Sequence, residues 1–291
     1  MTTAAVTSDP HAFVQQALKK VTTIATLPEV TAKIISTVED PKSTASQLHK
    51  IVAHDPALVT RILKVVNSAF YGLPGQIASI ERAIVLLGLN AVKNIAVVAS
   101  LGQLFRGVKL CDGYTAKDLW THCVGVGVAA RELAKQMKVP IADEAFLAGM
   151  IHDLGLLIML QLNPEQIRHV CERVKTTGAD FCEVEREVIG VDHQLLGAGL
   201  AAQWKFPRSC QQVAGHHHKP GELSDDSRLL VALIYVADTL CCQANQGFNL
   251  TALHQKLDAL EMIDLKIDPA LIERTRVNLP ELCKGAAMLF G

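Results

Sequence analysis

Apolar residues recur every three or four positions along most of this chain, which is the spacing of one face of an α-helix. Within 45–53, for example, Leu48, Ile51 and Val52 fall on a common face. The same spacing, bounded by Pro, Gly, Ser, Thr or Asp, predicts helices over the following ranges: 11–21, 28–40, 45–53, 57–67, 79–87, 91–104, 117–137, 143–161, 164–177, 180–203, 208–218 and 228–243. Strict alternation of apolar and polar residues, which would indicate half-buried strands, is scarce.

This pattern predicts an all-α protein of 291 residues, with the chain divided near a polar, glycine-containing segment at 107–116. After that segment the helices continue to a C-terminal tail of short helices, in which Pro269 and Pro280 stand at first-turn or helix-breaking positions. The predicted parts are an N-terminal extension, two helical halves and the tail: 1–19, 20–107, 108–245 and 246–291.

Histidines and aspartates stand inside several apolar segments, at positions where a globular protein usually carries Leu or Val. Asp153 interrupts the apolar run 148–160, and Asp238 interrupts 229–240. A carboxylate buried without a partner is very costly, so each requires a cation or hydrogen-bond donors. The residues concerned are His122, His152, Asp153, His193, His216, His217 and Asp238. We therefore expect them to converge around a metal ion.

Composition and charge disfavour a nucleic-acid-binding, membrane-spanning or secreted protein. Hydrophobic residues make up 49% of the chain and aromatic residues 4%, which suits packed helices, and the formal net charge of −1 makes nucleic acid an unexpected partner. The longest apolar stretches, 83–101 and 145–162, contain charged residues and are interpreted as buried helices, not as membrane spans. The start of the chain lacks signal-peptide features, and the eight cysteines form no C-x-x-C pair. We expect a cytoplasmic protein with reduced thiols.

The order His, His-Asp, His, His-His, Asp resembles the HD superfamily of metal-dependent phosphohydrolases. Further segments make the resemblance more specific, because they are similar to the N-terminal half of an HDOD domain: Leu27-Pro28, 53–58, 66–72, Ser79-Ile80, Ala83-Ile84 and Leu87-Gly88. The resemblance covers about residues 20–245. It implies a helical HDOD subdomain followed by an HD-type bundle. It also implies a regulatory domain of bacterial signal transduction, with signalling proteins as partners.

The resemblance to the HD superfamily implies a first metal site at His122, His152, Asp153 and Asp238. The residues that match the additional ligands of two-metal members are His193, His216 and His217. Such sites hold iron or manganese, with nickel or zinc as alternatives. Neighbours on a helix point about 100° apart, so His216 and His217 can both be ligands only at a helix end or turn. His218 is expected to be exposed to solvent, and a buried polar network without metal is the structural alternative.

The chain departs from the catalytic HD-GYP pattern at two places. Leu156 replaces the lysine of His-Asp-x-Gly-Lys, and 216–222 contains no Gly-Tyr-Pro motif. Phosphoester hydrolysis needs cations at the non-bridging oxygens as well as a metal. Arg131, Arg186 and Lys219 are possible substitutes, although solvated helix charges are the simpler interpretation.

The N-terminal motif has a local interpretation. Asp55 would cap the helix that begins at Pro56, and Asn67 and Ser68 would close it. The alternative is a surface for a partner protein or a nucleotide.

Three functions follow from these observations. The first is a stand-alone signalling module that binds other proteins through its helical surfaces. The second is a phosphohydrolase acting on a nucleotide or cyclic dinucleotide, with His152 and Asp153 as its catalytic residues. The third is a sensor of a small molecule or metal without turnover. An open cleft over the metal, with cations nearby, would distinguish the enzyme from the other two.

Overall fold

Capping motifs divide the chain into helices that mostly match the predicted ranges. The computed structural model describes residues 9–21, 29–38, 40, 42–68, 70–105, 109–224, 226–258, 262 and 264–290. The N-terminal helices are α1 Pro10–Lys20, α2 Glu29–Val38, α3 Ala45–Ala53, α4 Pro56–Val66, α5 Ile80–Leu87 and α6 Leu89–Leu101. A 3-10 turn, Gly102–Phe105, continues α6. Leu27, Pro28, Ala69 and the predicted boundary at Gly107 lie outside the described residues.

A short antiparallel hairpin precedes the second half. Its strands are β1 Lys109–Cys111 and β2 Tyr114–Thr115. The helices that follow are α7 Ala116–Gln136, α8 Ala142–Ile151, α9 Leu154–Leu162, α10 Pro164–Thr177, α11 Phe181–Ile189, α12 His193–Gln203, α13 Arg208–His216, α14 Arg228–Gln243 and α15 Pro269–Phe290. Between α13 and α14, Pro220–Glu222 form a further 3-10 turn. The all-α class is therefore confirmed.

Local hydrogen bonds explain the N-terminal motif. The Asp55 carboxylate accepts from the backbone N–H of Leu58 at 2.9 Å and caps α4, as predicted. The Asn67 amide donates to the carbonyl of Leu63 at 2.8 Å and to that of Ile77 at 2.7 Å. Its Oδ1 accepts from the Ile77 N–H at 2.6 Å, so one side chain both closes α4 and holds the following loop.

Three helix predictions were wrong in detail. The range 143–161 is two helices, interrupted at His152-Asp153, and 180–203 is also two, because Gly190 ends α11 in the left-handed region at φ 97°. The tail contains one long helix in which Pro280 is internal. There Leu279 and Cys283 are buried, and packing of α15 against α7 outweighs the hydrogen bond that Pro280 cannot donate.

The core is built around α7, which packs against α8, α14 and α15. In the first half, α6 contacts α2, α4 and α8, and its residues from Ala91 to Leu101 are buried. This helix therefore joins the two halves. Lys93 is among its buried residues, and its ammonium group donates to the Thr37 carbonyl and the Ser43 hydroxyl. Helix α1 lies on α9 and α12, in the second half.

One segment, Ala142–Leu162, has the length and hydropathy of a membrane span, but 89% of its most apolar window is buried inside the protein. It forms α8 and α9, which supports its interpretation as core. The eight cysteines are all buried, as predicted for small core residues.

Helices α9 and α12 approach so closely that Gly155 has no room for a side chain. A Cβ at this position would lie 1.9 Å from the carbonyl oxygen of His193. We expect Gly155→Ala to separate the two helices and to lower the free energy of unfolding by about 3 kcal/mol, measured by chemical denaturation. Gly221→Ala is the matched control, since no atom lies within 4 Å of its Cβ position. Equal stability of the two variants would contradict the close packing.

Candidate metal centre

Six helices of the second half bring a cluster of histidines and aspartates to one point in the core. His122 comes from α7, Asp238 from α14, and His193 is the first residue of α12. The remaining members stand at helix ends, in the break between α8 and α9 and just after α13: His152, Asp153, His217 and His218. All except His218 are fully buried, and the His218 side chain is 5% exposed.

The break between α8 and α9 presents two neighbouring side chains to the same point. Asp153 leaves the helical conformation at φ −98° and ψ 15°, and its carbonyl accepts from the Leu156 N–H at 3.1 Å. His152 places Nδ1 2.7 Å from the carbonyl oxygen of Gly149. That contact places the ring proton on Nδ1 and leaves the lone pair of Nε2 facing the cluster.

Asp153 lies between two pairs of histidines. Its Oδ2 is 3.4 Å from Nε2 of His152 and 3.8 Å from Nε2 of His122. Its Oδ1 is 3.3 Å from Nε2 of His193 and 3.4 Å from Nε2 of His217. The two oxygens of one carboxylate thus face two different ligand sets, which is the arrangement of a carboxylate that can bridge two metal ions.

Asp238 completes the set that contains His122 and His152, and its second oxygen approaches His218. Its Oδ1 lies 3.1 Å from Nε2 of His122 and 4.0 Å from Nε2 of His152. Its Oδ2 lies 3.6 Å from Nδ1 of His218. One turn along α14, the Cys242 thiol donates to Oδ1 at 3.4 Å.

When both rings are neutral, the proton positions of His193 and His217 leave lone pairs facing one another. Nδ1 of His193 contacts Glu185 at 2.7 Å, and Nδ1 of His217 contacts the Val213 carbonyl at 3.1 Å, so both Nδ1 atoms carry the proton. The two Nε2 atoms then face each other at 3.2 Å, beside Oδ1 of Asp153. Both oxygens of Asp153 are buried without a hydrogen-bond donor among the described residues. A cation between these atoms would relieve the repulsion, so the donor set fits a divalent metal.

Burial and charge set the protonation states of this cluster. Burial lowers the pKa of His152 to about 4, so this imidazole is neutral and able to bind a metal. Burial opposes the charged form of Asp153, but the neighbouring His152, His217 and His193 hold its pKa well below the usual range. Burial also disfavours a charged His193, yet the Glu185 carboxylate outweighs it and raises that pKa to about 10, so without a metal Nε2 carries a proton that a bound ion would displace.

Glu185 orients His193 from the side away from the cluster, and the sequence pattern did not identify it. This fully buried carboxylate on α11 accepts from both the backbone N–H and Nδ1 of His193. Carboxylates that orient a ligating imidazole in this way are a common second layer of metal sites. The available signal was its place on the apolar face of 181–189, beside Phe181 and Val184.

The structure does not bring His216 to the cluster. Its side chain is 36% exposed, and Nδ1 lies 3.8 Å from a carboxylate oxygen of Glu222. The prediction that His218 is exposed was wrong. Helix α13 ends at His216, and the turn that follows points His217 and His218 inward in place of His216 and His217.

The segment 244–258 closes the cluster. The Phe248 N–H donates to the carbonyl of Asp118 on α7 at 3.0 Å, and the Phe248 side chain is fully buried. Nε2 of Gln255 lies 2.6 Å from Nδ1 of His218. On the outer side of Gln255 is a cavity of about 240 Å³ whose lining contains no Lys or Arg: Asp180, Phe181, Leu250, Thr251, His254 and Gln255.

The three candidate phosphate-binding cations are paired with carboxylates outside the cluster. Arg131 contacts Asp143 at 3.2 Å. Arg186 contacts Asp192 at 2.5 Å, and Lys219 contacts Glu222 at 3.6 Å. Leu156, at the lysine position of the His-Asp-x-Gly-Lys pattern, is fully buried.

Two solved structures share the fold. A candidate phosphohydrolase from Shewanella amazonensis aligns with a TM-score of 0.74 at 23% identity, covering 97% of this chain and 98% of that one. A candidate signal transduction protein from Marinobacter aquaeolei aligns with a TM-score of 0.76 at 21% identity, covering 100% of this chain and 69% of that one. At these identities the likeness establishes the fold alone.

The sequence comparisons identify the family. An uncharacterised protein of Treponema pallidum is 25% identical over 217 residues, which are 74% of this chain and 41% of that protein. The chain therefore spans less than half of that relative's length. The family model of the HDOD domain matches residues 24–220, which include the Asp55 cap, Asn67 and all cluster residues except Asp238. The chain belongs to the HDOD domain family.

Proposed function

We propose that this chain is a regulatory, protein-binding module of signal transduction, whose HD-type centre holds divalent metal inside a closed helical core. The observation that carries the proposal is the burial of the cluster. His122, His152, Asp153, His193, His217 and Asp238 are all fully buried. A substrate phosphate could not reach an ion held by these atoms unless the covering segment moved. A closed centre therefore favours a structural or regulatory metal over a catalytic one.

The proposed ligands form two sets that share Asp153. The first set is His122, His152, Asp153 and Asp238, and the second is Asp153, His193, His217 and His218. Imidazoles with carboxylates and no thiolate suit iron or manganese, with nickel or zinc as alternatives. Membership of the HDOD family and the likeness to a candidate signal transduction protein support the regulatory role and signalling proteins as partners.

The alternative is a metal-dependent phosphohydrolase that acts on a nucleotide or cyclic dinucleotide. A bound divalent ion would supply a Lewis acid for the phosphoryl group. In that case His152 and Asp153 hold the ion at the reacting centre, and the cavity outside Gln255 receives the substrate. The cavity lining lacks a lysine or arginine for the phosphate oxygens, which disfavours this function.

The first prediction concerns metal content. Untagged protein purified without added metal should contain one or two divalent ions per chain, and His218→Ala should lose at least half of that content. His216→Ala is the matched control and should retain all of it, because its side chain lies outside the cluster. Elemental analysis measures both. Loss of metal in the His216 variant alone would contradict the proposed ligand set, and metal-free native protein would contradict the metal centre.

The second prediction concerns Glu185. Glu185→Gln leaves a side chain of similar size but removes the carboxylate that orients His193, so metal affinity should fall about 10-fold to 100-fold. Competition with a chromophoric chelator measures the affinity. Glu187→Gln is the control, because Glu187 is exposed and pairs with Arg173 on the surface. Equal affinities in the two variants would show that Glu185 does not support the site.

The third prediction separates the two functions. Protein loaded with iron or manganese should not hydrolyse bis(p-nitrophenyl) phosphate or cyclic di-GMP above the rate of an Asp153→Asn variant. Product formation followed by absorbance and chromatography provides the measurement. Turnover by the native protein that is lost in the variant would establish the phosphohydrolase and overturn the non-catalytic centre.

A further inference from the structure

A second cavity, of about 380 Å³, lies between the two halves of the chain, away from the metal centre. Helix α6 of the first half forms one wall, and the start of α8 with the loop before α13 forms the other. The residues that line it are Asn90, Asn94, Pro140, Ala142, Asp143, Glu144, Leu147, Pro207 and Cys210. Its volume falls within the range of small-molecule sites, which is roughly 300–1,000 Å³.

Asn94, which lines this cavity, carries a hydrogen-bond acceptor without a partner among the described residues. The residue is only 6% exposed, and its Nδ2 donates to the backbone carbonyl of Asp143 at 3.0 Å. That bond settles the orientation of the amide, since the opposite orientation would place two oxygens against each other. Oδ1 of Asn94 is therefore an acceptor, and it has no hydrogen-bond partner among the described residues. A buried acceptor of this kind favours a ligand that donates.

The negative charge of the lining also favours a ligand that donates hydrogen bonds. Asp143 is offset by Arg131, whose Nε lies 3.2 Å from its Oδ1 and whose guanidinium stacks on Phe70 and Tyr71. Glu144 contacts a neutral group instead, accepting from the Ser209 hydroxyl at 2.5 Å. The lining residues include no Lys or Arg, so the carboxylate of Glu144 leaves the cavity negative.

Apart from Asn90, the remaining lining residues are apolar. They are Pro140, Ala142, Leu147, Pro207 and Cys210. Such a site suits a small molecule with a charged donor at one end and a hydrocarbon body at the other.

We propose that the cavity between Asn94 and Glu144 binds a small organic cation, with an alkylammonium or alkylguanidinium head. The head donates to Oδ1 of Asn94 and to the Glu144 carboxylate, and its alkyl body lies against Leu147 and the two prolines, Pro140 and Pro207. This site is separate from the proposed metal function and does not depend on it.

Isothermal titration calorimetry of the full chain with four probes tests the proposal: butylguanidinium, butylammonium, butanoate and butanol. At least one of the two cations should bind with one site per chain, while butanoate and butanol, which match the body but not the charge, should bind at least tenfold more weakly. Glu144→Gln removes the charge, preserves the size and should weaken the cation at least tenfold. Glu165→Gln is the control, since Glu165 also lies in the first turn of a helix, α10, but on the surface.

Glu144→Asp keeps the charge and should recover part of the affinity that Glu144→Gln loses, which a purely structural role of Glu144 would not produce. Thermal unfolding of each variant verifies that it is folded. Three results would overturn the proposal: neither cation binds to the folded native chain, butanoate or butanol binds as well as the cations, or Glu144→Gln binds the cation with native affinity.

Discussion

Two buried carboxylates impose the main constraint on this structure. Asp153 and Asp238 lie in the helical core with no exposed surface, and five imidazoles surround them. Removing such charges from water costs several kcal/mol each unless a cation or donors compensate. The helices around them must therefore hold nitrogen atoms at fixed distances, and the positions of helix ends in the second half serve that requirement. Five of the seven cluster residues stand at or just beyond a helix terminus, where neighbouring side chains can point to one place: His152, Asp153, His193, His217 and His218.

Close packing between backbones holds the helices in the positions that the cluster requires. Because Gly155 carries no Cβ, α9 can contact α12 at the carbonyl of His193, which places Asp153 beside that histidine. Glu185 on α11 then holds the imidazole from the other side. The described residues of the first half contribute no ligand, but α6 supports α8, whose end carries His152. The polar cluster and the apolar core are therefore parts of one packing arrangement.

Much of this arrangement follows from the sequence. Apolar spacing and caps such as Asp55 predict the helices, because both signals are local. The breaks at His152-Asp153 and at Gly190 were not predicted, since apolar spacing continues across both and does not show where a helix ends, and the second is a local cap at Gly190. The histidine pair was assigned one residue too early for the same reason: only the end of α13 determines which neighbours face inward. Only its place on the apolar face of α11 distinguishes Glu185 from other glutamates, because its role depends on a contact with His193, eight residues later in the sequence.

Enclosure of the cluster affects how fast a metal ion exchanges as well as how tightly it binds. The segment 244–258 covers the cluster, with Phe248 tied to α7 and Gln255 against His218. Any ion held there can leave only when this cover opens, so its exchange rate cannot exceed the opening rate of the local structure. A slowly opening cover would retain an ion long after free metal has disappeared from the surroundings. The protein would then carry a record of past metal supply, which a freely exchanging surface site could not keep.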